Sequence, residues 1–136
     1  MKRFIQIVAT LSTLSLISGC GGSETHVSFG GKANGQPVFC ISAKPNCAAP
    51  GAPLRNLQVE QVDEAGKLVR VMWRIDAPAG WGGFNESDRI IYGVLPVGWT
   101  TKTPPTGLTY GQHYRVNKQY GFSITANGLI MQETGR

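Results

Sequence analysis

Short runs of alternating apolar and polar residues recur along this chain, separated by glycine, proline and asparagine, and no stretch sustains an apolar period of 3.6. Gln36 to Ser42 is a candidate strand. In the next, Leu57 and Val59 alternate with Gln58 and Glu60, and Glu64-Ala65-Gly66-Lys67 makes a turn. "LVRVMWRI" sets Val69, Val71, Trp73 and Ile75 on one face and Arg70, Met72 and Arg74 on the other, the signature of a half-buried strand. "DRIIYGVLP" aligns Ile90, Tyr92 and Val94, "TTKTPPTG" is a proline-bearing connection, and "GQHYRVNK" pairs Tyr114 with Val116. Asn127-Gly128 between the arms of "FSITANGLIMQ" is a hairpin signal. About seven strands in so short a chain predict an all-β sandwich.

The first part of the chain has a different pattern. Lys2 and Arg3 precede an apolar stretch broken by Thr and Ser that ends at Ser18-Gly19-Cys20. A membrane span needs about 20 apolar residues to cross roughly 30 Å of hydrocarbon, so this shorter run reads as an export signal. Ile17-Ser18-Gly19-Cys20 resembles the lipobox of bacterial lipoproteins at all four positions. That resemblance implies cleavage after residue 19, a diacylglycerol on the Cys20 thiol and acylation of the new amine. It therefore divides the chain into a signal peptide at 1–19, a lipidated cysteine and flexible tether at 20–35, and a sandwich domain at 36–136. Two or more acyl chains hold a protein on a membrane at about 0.8 kcal/mol per buried CH₂. In Gram-negative relatives an Asp after the lipidated cysteine favours the inner membrane. Gly21 stands there, so the resemblance implies an outer-membrane anchor facing the periplasm.

Composition adds less. The net charge of the 136 residues is +5, and the leader carries Lys2 and Arg3 away with it. The remaining cations, Lys32 to Lys118, are scattered singly, which is not a nucleic-acid stripe. With Cys20 lipidated, Cys40 and Cys47 are an even pair in an oxidising compartment, across a Lys44-Pro45-Asn46 turn. A disulfide there is expected to contribute roughly 2–3 kcal/mol in the chain-entropy model. A redox or metal pair is the alternative, but the spacing is not C-x-x-C and no histidine is near.

Trp73 in "LVRVMWRIDAP", and Leu108 six residues before Tyr114 in "LTYGQHYRV", resemble fibronectin type III and related immunoglobulin-like domains over about 53–134. The resemblance implies a core tryptophan on the second strand and a corner tyrosine whose hydroxyl bonds back to the backbone. Here Tyr110-Gly111-Gln112-His113 replaces the family's Pro-Gly-Thr.

Chemistry is sparse. His26 falls in the tether region and His113 opposite Tyr114, hence toward solvent, with no orienting carboxylate beside either. Gly-x-Ser-x-Gly, His-Glu-x-x-His and phosphate-loop motifs are absent, and "GGKANG" reads as a loop. Glu86 and Asp88 flank a strand start. No cofactor or metal is expected and no catalysis. The better candidates are Trp81 and Phe84 in "PAGWGGFNESD" and Trp99 in "LPVGWTT", as a partner-binding patch rimmed by Asn85, Glu86 and Lys102. The competing reading makes Trp81 and Trp99 caps of the core. The expected function is a lipid-anchored, non-catalytic protein-binding module of immunity, inhibitor or envelope-accessory type. A cell-wall carbohydrate-binding or hydrolytic domain, or a purely structural lipoprotein, is the alternative.

Overall fold

A computed structural model describes residues 25–48, 52–78 and 89–133. Cys20, Trp81, Phe84, Asn85, Glu86 and Asp88, singled out from the sequence, lie outside the described residues. The protein is all-β. The described strands are β1 (His26–Ala33), β2 (Gln36–Ser42), β3 (Asn56–Val62), β4 (Leu68–Asp76), β5 (Arg89–Ile91), β6 (Thr100–Thr103), β7 (His113–Val116), β8 (Tyr120–Ile124) and β9 (Ile130–Glu133). They form two antiparallel sheets, ordered β1-β2-β5 and β6-β4-β3-β7-β8-β9. The chain lays down β1 and β2, crosses for β3 and β4, returns for β5 and crosses again. This places β1-β2-β5 opposite β4-β3-β7-β8, the Greek-key arrangement of immunoglobulin-like sandwiches.

Nine described strands against about seven expected come from two corrections. His26–Ala33 is a strand, not tether: it pairs with β2 from His26↔Ser42 to Ala33↔Gln36, and Val27 is in the core. The "GGKANG" segment finishes that strand and turns at Asn34-Gly35, both at positive φ (51° and 75°). This is the Asn-Gly hairpin preference, since both central residues of such a turn need left-handed backbone. "TTKT" is also a strand, β6, on the edge of the large sheet beside β4. Threonine's branched Cβ favours the pleat, and Pro104 and Pro105 follow directly.

A bulge rewrites the face of β4. Val59 pairs with Trp73 but Glu60 with Val71, so Met72 is an extra residue. Met72, Trp73 and Ile75 all point into the core while Val69 is exposed, so the predicted stripe holds only for Trp73 and Ile75. Trp73 therefore lies on the fourth strand, not the second. Val94 also leaves its predicted face, because Gly93 (φ 82°) turns the chain after Tyr92.

The core lies between the sheets. Phe39 of β2 meets Phe122 of β8 at 5.8 Å between centroids, Tyr114 stacks on Phe122 at 5.3 Å, and Trp73 meets Tyr92 edge-on at 5.2 Å. Apart from exposed Gln36, every residue of β2 is buried. Its inner face, Phe39 and Ile41, enters the core. Its outer face is covered by the segment after Ser42, which folds back so that the Asn46 N–H reaches Ser28 Oγ at 3.3 Å. The Cys40–Cys47 disulfide, with Cα atoms 5.7 Å apart, fastens that cover. The Tyr114 hydroxyl accepts the Thr109 N–H at 2.8 Å, the expected corner bond.

Trp73→Ala is expected to cost about 3–5 kcal/mol, the usual penalty for emptying a large buried aromatic site. Tyr114→Phe should cost about 0.5–1.5 kcal/mol by losing its corner bond. Denaturant unfolding of the two variants checks both; negligible losses at both sites would contradict this packing.

Burial pushes the Tyr92 and Tyr120 hydroxyls up to about 12, from an ordinary 10.0. Both groups ionise earlier in the unfolded chain. Their contribution to stability is therefore complete below pH 10.0 and is lost as pH rises through about 12. Unfolding free energies measured across that alkaline window should fall, and Tyr120→Phe should flatten the fall.

Candidate functional site

The connection from β5 to β6, residues 92–99, is held at both ends by buried aromatic rings. Tyr92 donates its backbone N–H to Pro37 O (2.9 Å) and its hydroxyl to Thr106 O (2.6 Å). Trp99 is 6% exposed and belongs to the core, so it does not offer a ring to a partner. This corrects its place in the candidate patch and matches the capping alternative. Between these roots the backbone closes on itself, with Val94 N–H on Ile91 O (3.0 Å) and Trp99 N–H on Pro96 O (3.1 Å). A Cβ added at Gly98 would come within 3.3 Å of Pro78 Cγ, so the loop lies directly against that proline.

The side chains projecting from this loop are aliphatic: Val94 is 55% exposed, Leu95 43% and Val97 101%. The sequence reading missed them by continuing the strand alternation through Gly93. Two turn signals, Tyr92-Gly93 and Pro96-Val97-Gly98, mark the loop that carries them. Of the proposed rim, Lys102 is exposed on β6. The loop brings exposed aliphatic residues together beside Pro78, which immediately precedes the 79–88 segment that holds Trp81 and Phe84.

A second feature is polar. On the outer face of the large sheet, side chains link in a row across β4, β3 and β7. Arg74 contacts Asp76 (3.3 Å) and donates to Gln58 (3.1 Å), Gln58 donates to Glu60 (2.9 Å), and Arg115 donates to Glu60 (2.8 Å) and to Gly66 O (3.2 Å). Glu60 is buried, a charge no alternation pattern would assign to the interior. Burial pushes its carboxyl up. Hydrogen bonds from Arg115 and Gln58, with the charges of Arg115 and Lys118, more than offset that, so the group ends below its ordinary value.

Beside Arg115 lies a pocket of about 270 Å³, lined by Val62, Asp63, Gly66, His113 and Tyr114 among others. His113 stands on the face of β7 opposite buried Tyr114, as expected, and is half-buried on the pocket wall. Asp63 uses one carboxylate oxygen to accept the Ala65 and Lys67 N–H groups (2.9 and 2.8 Å), which braces the β3–β4 turn. Both Glu60 oxygens are hydrogen-bonded and the group is held ionised. These carboxylates serve structure, and the lowered pKa of Glu60 is the opposite of what a general acid needs. Among the described residues no group of three or more His, Cys, Asp or Glu is placed to hold a metal.

Arg115→Ala leaves the buried Glu60 charge without its cation and is expected to cost on the order of 3 kcal/mol. Glu60→Gln should cost less. Because folding lowers the Glu60 pKa, its stabilisation is present above pH 4.5 and is lost as pH falls below it. Urea unfolding at neutral and acid pH should show a shallower acid loss in Glu60→Gln than in the parent.

In comparisons with protein-family models, with curated proteins and with solved structures, no match to this chain is found.

Proposed function

We propose that this protein is a lipid-anchored component of the bacterial cell envelope that binds another protein without catalysis. The anchor is Cys20, on the strength of Ile17-Ser18-Gly19-Cys20 and the basic and apolar residues before it. Gly21 in place of Asp favours the outer membrane, facing the periplasm.

The observation that carries the binding reading is the 92–99 loop. Val94, Leu95 and Val97 stand in solvent on a backbone fixed by buried Tyr92 and Trp99. Apolar side chains on a braced loop lose little conformational freedom on docking, so burying them favours association directly. An enzyme would need a reactive group that is free to exchange a proton, and the carboxylates of Glu60 and Asp63 are committed to their neighbours.

A photoreactive residue at position 97 should give a discrete protein adduct in intact cells, and one at exposed Lys67 should not. Val97→Asp should weaken capture of that adduct's protein by about tenfold or more with little change in melting. Equal adducts at both positions would count against the loop.

Cys20→Ala should leave unprocessed precursor or soluble protein. Incorporation of a palmitate analogue that survives this substitution would remove the anchor.

A further inference from the structure

We infer that two copies of this chain associate by reciprocal exchange of Tyr110, the ring of each entering the pocket beside Arg115 of the other. The exchange goes beyond the 92–99 loop and does not depend on it. Tyr110 is 67% exposed, whereas every other Phe, Trp or Tyr among the described residues is buried or half-buried. Its backbone is also held on both sides. Thr109, before it, donates its N–H to the Tyr114 hydroxyl at 2.8 Å, and Gly111, after it, donates to Ile124 O at 3.1 Å. A large ring kept in water on a braced corner has much area to bury on docking and little backbone freedom left to lose, which suits an interface anchor.

The pocket suits that ring. Its volume of about 270 Å³ lies below the roughly 300–1,000 Å³ of small-molecule sites and gives room for one side chain. Val62, Ala65, Gly66 and Gly121 line it without polar side-chain atoms. Arg115 is fixed in the wall by its bonds to Glu60 (2.8 Å) and Gly66 O (3.2 Å), and a fixed guanidinium attracts the negative face of an aromatic ring. Asp63 uses one carboxylate oxygen for the Ala65 and Lys67 N–H groups. Its second oxygen accepts no hydrogen bond among the described residues and is open to a phenol O–H. With both charge signs in the lining, a neutral ring with a polar tip fits better than a charged side chain.

Ring and pocket lie at one end of the large sheet. His113 lines the pocket, opens β7 and pairs with Val62 at the close of β3. Tyr110 precedes His113 by three residues, so their Cα atoms lie within about 11 Å. A knob beside its socket lets two copies related by a two-fold axis fill both sockets at once, which closes the pair and leaves no knob for a third copy. Two rings of about 150–250 Å² each, with the walls they cover, come to less than the roughly 1,200 Å² of a stable interface. The association is therefore weak and readily reversed.

The test uses the full chain in cells, expressed together in two differently tagged forms and crosslinked with a bifunctional amine reagent before capture through one tag. Tyr110→Ser in both forms should cut co-capture by about tenfold or more. Ala65→Trp in both forms should do the same, because it fills the pocket with a ring of its own and leaves the Ala65 N–H on Asp63. Tyr110→Ser in one form with Ala65→Trp in the other restores one of the two contacts, so co-capture should rise above either matched pair. That rise separates a lost contact from a lost fold. A photoreactive phenylalanine analogue at position 110 should give an adduct of twice the chain mass, mapping to 62–66 or 113–121. Co-capture that Tyr110→Ser leaves unchanged, or that the mixed pair does not recover, overturns the exchange. Adducts that run to trimers and beyond overturn the closed pair. The position-97 adduct should persist in Tyr110→Ser, so the loop and the exchange fail separately.

Discussion

At Met72 the fourth strand carries one residue more than the third, and the segments around it depend on that extra residue. The bulge turns Met72 and Trp73 into the core in succession. Its peptide carbonyl accepts the Thr106 N–H at 2.9 Å, which holds the chain after Pro105 alongside β4. The Thr106 carbonyl in turn receives the Tyr92 hydroxyl, and the Tyr92 ring packs edge-on against Trp73. One irregularity in a ladder thus fixes the return from β6, the root of the 92–99 loop and the largest ring in the core. Without it Met72 would face outward, and both the strap at Thr106 and the Tyr92 hydroxyl would need other partners.

The alternation of the chain made some of this legible. Gln36–Ser42 reads correctly because a central strand covered on both faces is apolar along its length. Tyr114 and Val116 read correctly because β7 faces core on one side and solvent-facing polar groups on the other. The hairpin at Asn127-Gly128 follows from turn chemistry alone, with Gly128 at φ 73°. The same chemistry at Asn34-Gly35 is masked in the sequence because Gly30 and Gly31 thin the alternation of β1 to almost nothing. β6 was hidden in another way. An edge strand with little core contact needs no apolar face, and Thr-Thr-Lys-Thr supplies none.

The burial of Trp99 and that of Glu60 have a common physical origin. Trp99 follows Pro and Gly, which looks like an exposed tip, yet a large ring at the mouth of a sandwich gains more from closing the core than from standing in water. Glu60 falls among strand residues where a charge suggests solvent, but Arg115 and Gln58 saturate it from neighbouring positions on the sheet. Glu60 and Arg115 are 55 residues apart in sequence, so the pairing that makes burial tolerable appears only once β3 and β7 lie side by side. Local pattern reports the average neighbour of a residue, and both cases turn on one specific long-range neighbour.

The exposed aliphatic group and the anchor proposed at Cys20 together bear on how much affinity such a surface needs. Three half- to fully exposed aliphatic side chains offer a modest apolar area, and at about 25 cal/mol per Å² much of the gain is offset by the lost freedom of two associating bodies. A protein tethered at a membrane meets partners on that membrane at a raised effective concentration, and a short tether keeps that concentration high. Part of the entropy of association is then already lost to the anchor. A small braced contact, too weak to hold a partner from free solution, becomes sufficient between two molecules confined to one leaflet. Under the proposed anchor, the braced loop and the tether would act on one quantity: the freedom that remains to be lost when a partner docks.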